Sequence, residues 1–130
     1  MESPQPKPEP DVRHTFGHDP DASRDARRAL QPILPHDPEA AADITMAVSE
    51  LVTNVVRHTD DGGVLDAWAA DPFRIEVSDD NPQLPTIGVS DDANGGNGLK
   101  IIDSTADRWG VDKHPDDGKT VWVEFDEPKP

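Results

Sequence analysis

The chain contains no cysteine, few basic residues and no long hydrophobic run. The lack of cysteine excludes a disulfide framework, a thiolate metal site and a cysteine nucleophile, and it leaves the redox compartment undetermined. No apolar stretch approaches the length needed to cross a bilayer, and the initial segment MESPQPKPEPD has no hydrophobic signal region. We therefore expect a soluble, cytoplasmic protein that does not contact a membrane.

Charge of one sign dominates the composition. The 130 residues include 27 Asp and Glu but only 12 Lys and Arg, so the formal net charge is -15. Such a surface repels nucleic acid phosphates and anionic lipid headgroups, so direct binding to DNA or RNA is not expected. A phosphorylated ligand would need a local cradle of backbone amides, a metal ion or the few basic side chains.

The length of the chain accommodates one domain with one modest core. Residues 1–11 are polar and rich in proline, which predicts a disordered arm. Residues 12–126 are expected to form the domain, and residues 127–130 a disordered tail. The segment from Asn81 to Gly96, rich in Pro, Gly, Asp and Asn, is interpreted as a loop within the domain.

Capping signals, apolar periodicity and turn residues predict three helices and two hairpins. The helices are expected at Asp19–Leu30, from Asp37-Pro38 to near His58, and at Leu99–Ala106; the hairpins pair Val64–Ala70 with Phe73–Ser78 and Arg108–Lys113 with Lys119–Phe125. This order of elements predicts an α/β two-layer sandwich, in which helices cover one face of a mostly antiparallel mixed sheet.

The second predicted helix has an apolar stripe and, turned away from it, a polar stripe. Glu50, Asn54 and His58 recur every four residues, with Arg57 close beside them. One interpretation is a solvated face with a Glu-to-Arg pair, which is worth little energy. Asparagine is a poor helix former, however, and its carbonyl beside a carboxylate suits Mg²⁺ held together with water and phosphate oxygens.

Two later segments could complete a nucleotide site. In VSDDNPQLP, Asp79 stands where a strand runs into a loop, and a buried carboxylate there could accept a hydrogen bond from an amine such as that of adenine. In GGNGL, glycines precede a helix, so backbone amides could close on phosphate oxygens. Each segment alone is equally typical of an ordinary turn.

Together and in this order, the segments resemble the ATP-binding (Bergerat) domain of the GHKL superfamily, and within it the single-domain anti-sigma factor serine/threonine kinases. The resemblance lies in AVSELVTNVVRH (47–58) for the N box, VSDDNPQLP (77–85) for the first glycine box, GGNGLKIIDSTADRWGV (95–111) for the second, and GKTVWVEF (118–125) for the terminal strand. It implies that ATP and Mg²⁺ are the cofactors. It also implies a STAS-type anti-anti-sigma protein and a sigma factor as partners, and a homodimer.

The resemblance also implies roles for individual residues. Glu50 would be the general base, Asn54 the Mg²⁺ ligand and Asp79 the group that recognises the adenine amine, with Thr120 joining Asp79 at the base. The remaining nucleotide contacts implied are Arg57, His58, Asn81, Gly96, Asn97, Gly98 and Leu99, with a lid between Asn81 and Gly95. For Arg57 and His58, packing at the helix end or under the lid is an equal alternative, whereas for Leu99 a position in the core is the favoured interpretation.

The first glycine box departs from the family pattern, since Asp79, Asp80, Asn81, Pro82 and Gln83 contain neither of its two glycines. Asparagine tolerates the left-handed conformation better than other non-glycine residues, so the turn can survive. Two alternatives to the kinase stay open. One is a nucleotide-dependent protein-binding module with little or no phosphotransfer, and the other is an acidic α/β domain that binds no nucleotide.

Overall fold

The computed structural model describes residues 7–81 and 98–127. A short 3₁₀ turn, Gln31–Ile33, follows the first helix. The helices and strands are β1 Val12–Phe16, α1 Ala22–Leu30, α2 Pro38–His58, β2 Gly63–Trp68, β3 Phe73–Asp79, α3 Gly98–Thr105, β4 Arg108–Lys113 and β5 Lys119–Phe125. Among the described helices, none has both the length and the hydropathy that crossing a membrane requires.

The five strands form one sheet in the order β1-β2-β3-β5-β4, and every pairing in the described ranges is antiparallel. The predicted hairpins are confirmed as β2 with β3 and β4 with β5. Because β5 inserts between β3 and β4, the chain must cross over through α3 before it returns to the sheet. The protein is therefore an α/β sandwich, as its sequence predicted.

The core lies between the three helices and one face of the sheet. Alternate strand residues such as Leu65, Ile75 and Val123 are fully buried there, against Val48 and Val52 of α2. Strand alternation places every second side chain on this inner face, which explains why β3 and β5 read as apolar at alternate positions. Leu99 and Ile102 of α3 close the same core.

The outer face of the sheet carries a chain of ion pairs, which we call the outer-face ion network. Lys7 pairs with Glu76 at 2.7 Å, Arg74 bridges Glu76 and Glu124 at 2.8 and 2.7 Å, and Arg108 binds Glu124 at 2.9 Å. Arg108 also binds Asp126. The Arg74 guanidinium lies 4.7 Å from the centre of the Trp122 ring, a cation–π distance.

The start of α2 agrees with its prediction, but the start of α1 differs. The Asp37 side chain accepts a hydrogen bond from the Ala40 amide, so it caps α2 as expected, with Pro38 in the first turn. In α1 the Asp19 carboxylate instead accepts from the Asp21 amide two residues on. This local turn delays the helix to Ala22, because the side chain competes with helical bonding.

Strand β1 was not predicted, because its stabilisation comes from residues distant in sequence. Only Phe16 of its five residues is buried, so the strand lacks an apolar pattern. It pairs along its whole length with β2, from Val12 opposite Ala67 to Phe16 opposite Gly63. The described part of the predicted arm, residues 7–11, also contacts β2: the Pro8 carbonyl accepts from the Trp68 indole at 2.8 Å. Residues 1–6 and 128–130 lie outside the described ranges.

Candidate nucleotide site

Helix α2 presents Glu50 and Asn54 one turn apart, at the edge of its buried stripe. That stripe, which includes Val48, Leu51 and Val55, holds the helix on the sheet. Both polar side chains are half-buried, and within residues 7–81 and 98–127 neither makes a hydrogen bond. A carboxylate and an amide oxygen are therefore free, side by side, to bind an added group.

The C-terminal end of α2 contacts the segment that follows β3. The side-chain amide of Asn81 donates to the carbonyl of His58, the last residue of the helix. The side chains of Arg57 and His58 are exposed, and the Arg57 guanidinium favourably faces the negative end of the helix dipole. The structure thus brings Asn81 to His58, as a common site requires, while the side chains of Arg57 and His58 stay exposed.

Asp79 and Lys119 form a buried ion pair beside this contact. They are cross-strand neighbours at the end of β3 and the start of β5. The Lys119 ammonium donates to both carboxylate oxygens of Asp79, at 2.9 and 3.0 Å, and to the Asn81 carbonyl at 2.9 Å. The side chains are only 2% and 8% exposed, and Lys and Asp reach such burial almost only when paired.

Thr120 lies on the other face of the sheet from Asp79, contrary to the role implied for it. Its register partner is Ser78, and its hydroxyl contacts the hydroxyl of Ser78 and the Nε2 atom of His114, both at 2.8 Å. Successive residues of a strand point to opposite faces, so a residue next to Lys119 cannot reach the same carboxylate. The residue that joins Asp79 is Lys119.

Lys119 was not predicted as a site residue, although the sequence contains a signal for it. Val121, Val123 and Phe125 alternate on the buried face of β5, and extending the alternation back by two residues places Lys119 on the same face. A lysine on a buried face requires a charged partner. Only the strand register, forty residues back along the chain, reveals that the partner is Asp79.

The second glycine box is described only in part. Gly96, Asn97 and the predicted lid lie outside the described ranges, which resume at Gly98, the first residue of α3. Leu99 is 2% exposed and belongs to the core, which agrees with the packing alternative for this residue.

Comparison with known proteins identifies the family. A sequence profile of the histidine kinase-like ATPase domain matches residues 16–125, most of the chain. The chain belongs to this family. Among solved structures, this ATPase-family domain is similar to the histidine kinase domain of the Escherichia coli osmosensor EnvZ, determined by NMR. The TM-score is 0.49 at 14% sequence identity, and the match covers 97% of this chain and 94% of that one. No curated protein matches the sequence.

The residues of the domain could hold a magnesium ion only if a phosphorylated ligand supplies part of its coordination shell. Among the described residues, no three His, Asp or Glu side chains cluster as a site made by protein alone would need. Mg²⁺ commonly takes one or two protein oxygens and completes its shell with water and substrate phosphates. The unbonded, half-buried amide of Asn54 meets that requirement, with Glu50 one turn away.

The groups of the candidate site follow one another along α2. With a rise of about 1.5 Å per residue, Asn54 lies roughly 6 Å and Glu50 roughly 12 Å from His58 along the helix axis. Since His58 contacts Asn81, the buried Asp79–Lys119 pair lies near the C-terminal end of the helix, beyond Asn54 as counted from Glu50. The domain thus presents a carboxylate, an amide oxygen and a buried ion pair in that order.

Proposed function

We propose that this domain binds Mg-ATP and transfers its γ-phosphoryl group to a serine or threonine, as anti-sigma factor kinases do. The observation that carries the proposal is the order Glu50, Asn54, then Asp79–Lys119 along α2. This order matches an extended nucleotide, with the γ-phosphate near Glu50 and the base near Asp79. Family membership over residues 16–125 supports the same ligand.

In the proposed mechanism Glu50 is the catalytic base. The hydroxyl oxygen of the acceptor serine or threonine attacks the γ-phosphorus, and its proton passes to the Glu50 carboxylate. The bond between the γ-phosphorus and the bridging oxygen breaks, and ADP leaves with the electron pair. Asn54 would hold Mg²⁺ together with phosphate oxygens, and the ion would supply charge neutralisation there. Such transfer needs mainly positioning and electrostatic stabilisation.

We further propose that the acceptor is a small STAS-type anti-anti-sigma protein and that the unphosphorylated acceptor competes with a sigma factor for the domain. A homodimer would be the working assembly. These partners rest on the resemblance of the four boxes to the anti-sigma kinases. The net charge of -15 supports a protein partner over nucleic acid, because phosphate backbones are repelled.

A second candidate is a nucleotide-dependent binding module that sequesters a protein without phosphotransfer. One observation favours it: Lys119 already occupies the Asp79 carboxylate, and Asn81 stands where the family has glycine. Both features would weaken nucleotide binding relative to a free carboxylate in a glycine turn. The two candidates differ in whether a phosphoprotein forms.

Titration calorimetry of the purified protein with ATP, with and without Mg²⁺, tests ligand binding. We expect Mg²⁺-dependent binding that Asn54→Ala reduces to the level seen without the metal. The control is Asp43→Ala, a change of a polar residue earlier in α2. Binding weaker than about 1 mM, or about -4 kcal/mol, would contradict the proposal of an ATP site.

A phosphotransfer assay with γ-labelled ATP and a STAS-domain protein from the same genome separates the two candidates. We expect Glu50→Gln to reduce labelling by about 100-fold or more while ATP still binds, since a general base contributes about that factor. The matched control is Glu39→Gln, the same change at an exposed position in the first turn of α2. Absence of labelling by the wild-type protein, with ATP bound, would favour the binding module.

A further inference from the structure

Lys119 changes the chemistry of the carboxylate at the base end of the candidate site. Its three ammonium donors are all engaged, two by Asp79 and one by the Asn81 carbonyl. The Asp79 Oδ1 atom also accepts a hydrogen bond from the backbone N–H of Asn81 at 2.7 Å. Within the described ranges, Oδ2 accepts only from Lys119, so this oxygen retains capacity for a further donor.

A carboxylate alone and a carboxylate paired with an ammonium select different bases. An ionised carboxylate only accepts hydrogen bonds, so it favours the adenine amine and opposes the O6 carbonyl that guanine carries at the same ring position. A site built in that way rejects the wrong analogue strongly, because buried polar groups are left unpaired. An ammonium 3 Å from the carboxylate supplies a donor, so a carbonyl at the same edge finds a partner.

We propose that Lys119 sets the base selectivity of the nucleotide site, an inference that rests on the proposed function. The Asp79–Lys119 pair presents an acceptor beside a donor, and it recognises a purine edge that carries a donor beside an acceptor. Adenine offers its amine and N1, and guanine offers N1–H and O6. When a base binds, the Lys119 ammonium releases the Asn81 carbonyl and donates to the acceptor atom of the base instead. The site therefore binds guanine as well as adenine nucleotides.

Burial and register make Lys119 the residue placed to act in this way. Lys113, its neighbour across β4 and β5, is exposed, whereas Lys119 is 8% exposed with its ammonium fixed by three acceptors. An ammonium held by a buried carboxylate is preorganised, so little is lost in ordering it when a base binds. The field of a distant surface lysine would act equally on every nucleotide and would not discriminate between bases.

The test is titration of the full-length protein, wild type and Lys119→Met, with ATP and with GTP in the presence of Mg²⁺. The measured quantity is the ratio of the GTP to the ATP dissociation constant. We expect this ratio to be below about 100 for the wild type, far from the roughly 10⁴-fold rejection typical of a site built for one hydrogen-bonding pattern. We expect Lys119→Met to raise it at least tenfold, because the donor to O6 is lost. Lys113→Met, which removes the same charge nearby, should leave it unchanged.

If Lys119 has a purely structural role, Lys119→Met will weaken the binding of ATP and of GTP by the same factor. The ratio of their dissociation constants would then stay unchanged, which would overturn the inference. A wild-type ratio above about 100 overturns it as well, and this measurement decides the matter even where Lys119→Met does not fold. These results leave the proposed function standing if ATP binds. If the wild type binds neither nucleotide, the proposed function fails and the inference fails with it.

Discussion

At the scale of single residues, Asp79 and Lys119 show how a charge can occupy a core position. Both continue an alternation of buried residues, at the end of β3 and at the start of β5. The alternation is readable in the sequence, but the match between the two residues is not, because it depends on the register of strands forty residues apart. For the same reason the sequence alone does not show that Thr120 lies on the face of the sheet away from Asp79, whereas helical spacing within one element is enough to place Glu50 and Asn54 one turn apart.

Removing one partner of this pair should destabilise the fold strongly. Asp79→Asn leaves the buried Lys119 ammonium without a counter-charge, and we expect the free energy of unfolding to fall by about 3 kcal/mol or more. Urea denaturation followed by circular dichroism measures the loss. The matched control is Asp66→Asn, which removes the partner of exposed Arg13 at 2.8 Å and should lower stability by under about 1 kcal/mol. Equal small losses would show that the Asp79–Lys119 pair is solvated.

At the scale of helices and strands, an element could be predicted when the contacts that stabilise it are close in sequence, and not when they are distant. Helix α2 carries its own cap, apolar stripe and stop signal, so its bounds could be predicted from sequence alone. Strand β1 carries one buried residue and depends on β2 for its hydrogen bonds, so local pattern could not reveal it. The two hairpins fall between these cases, since their turns are local and their strands alternate.

The β4–β5 hairpin contains a position where only glycine fits. A Cβ atom on Gly110 would lie 2.7 Å from the Trp122 ring, and the Arg74 guanidinium lies 4.7 Å from the centre of the same ring. Gly110→Ala should therefore displace the ring and lower the free energy of unfolding by about 1–3 kcal/mol. Thermal denaturation, with the signal of the tryptophans as a second probe, measures this. The control is Gly17→Ala, because a Cβ atom added at Gly17 would have no other atom within 4 Å. An unchanged melting temperature for Gly110→Ala would show that the ring moves freely.

The outer-face ion network should make the sheet sensitive to acid through Glu124. The hydrogen bond from Arg108, opposed by partial desolvation and reinforced by Arg74, lowers the pKa of Glu124 below its ordinary value of 4.5. A carboxylate whose pKa is lower in the folded state than in the unfolded state stabilises the fold at pH values above its unfolded-state pKa. This stabilisation is lost as the pH falls through the folded-state pKa.

We therefore expect Glu124→Gln to lower stability at pH 7 by up to about 1 kcal/mol, and the difference from wild type to shrink as the pH falls below 4.5. Chemical denaturation at a series of pH values measures the difference. Glu127→Gln, an exposed acid near the end of the sheet, is the control and should show a small, flat difference. A Glu124→Gln difference that does not vary with pH would contradict the assignment.

At the scale of the whole molecule, the charge balance sets a background against which every local ion pair acts. The order of the four boxes predicted the family, and the acidic composition predicted a surface hostile to phosphate. Neither could indicate where the few basic residues are used. The structure shows Lys7, Arg74 and Arg108 engaged on the outer face of the sheet, and Lys119 in the core beside the candidate site.

Added salt should stabilise this protein, although it weakens surface ion pairs. Repulsion within a net charge of -15 acts across the whole small domain, and raising the ionic strength from about 0.01 M to about 0.1 M shortens the screening length from roughly 30 Å to roughly 10 Å. The charged atoms of the outer-face pairs are only about 3 Å apart, much closer than the screening length, so salt weakens these pairs less. Each pair contributes under about 1 kcal/mol to stability. We therefore expect the melting temperature to rise with NaCl and equally with KCl, which excludes a specific sodium effect. A fall with both salts would mean that the outer-face ion network outweighs the repulsion of the net charge.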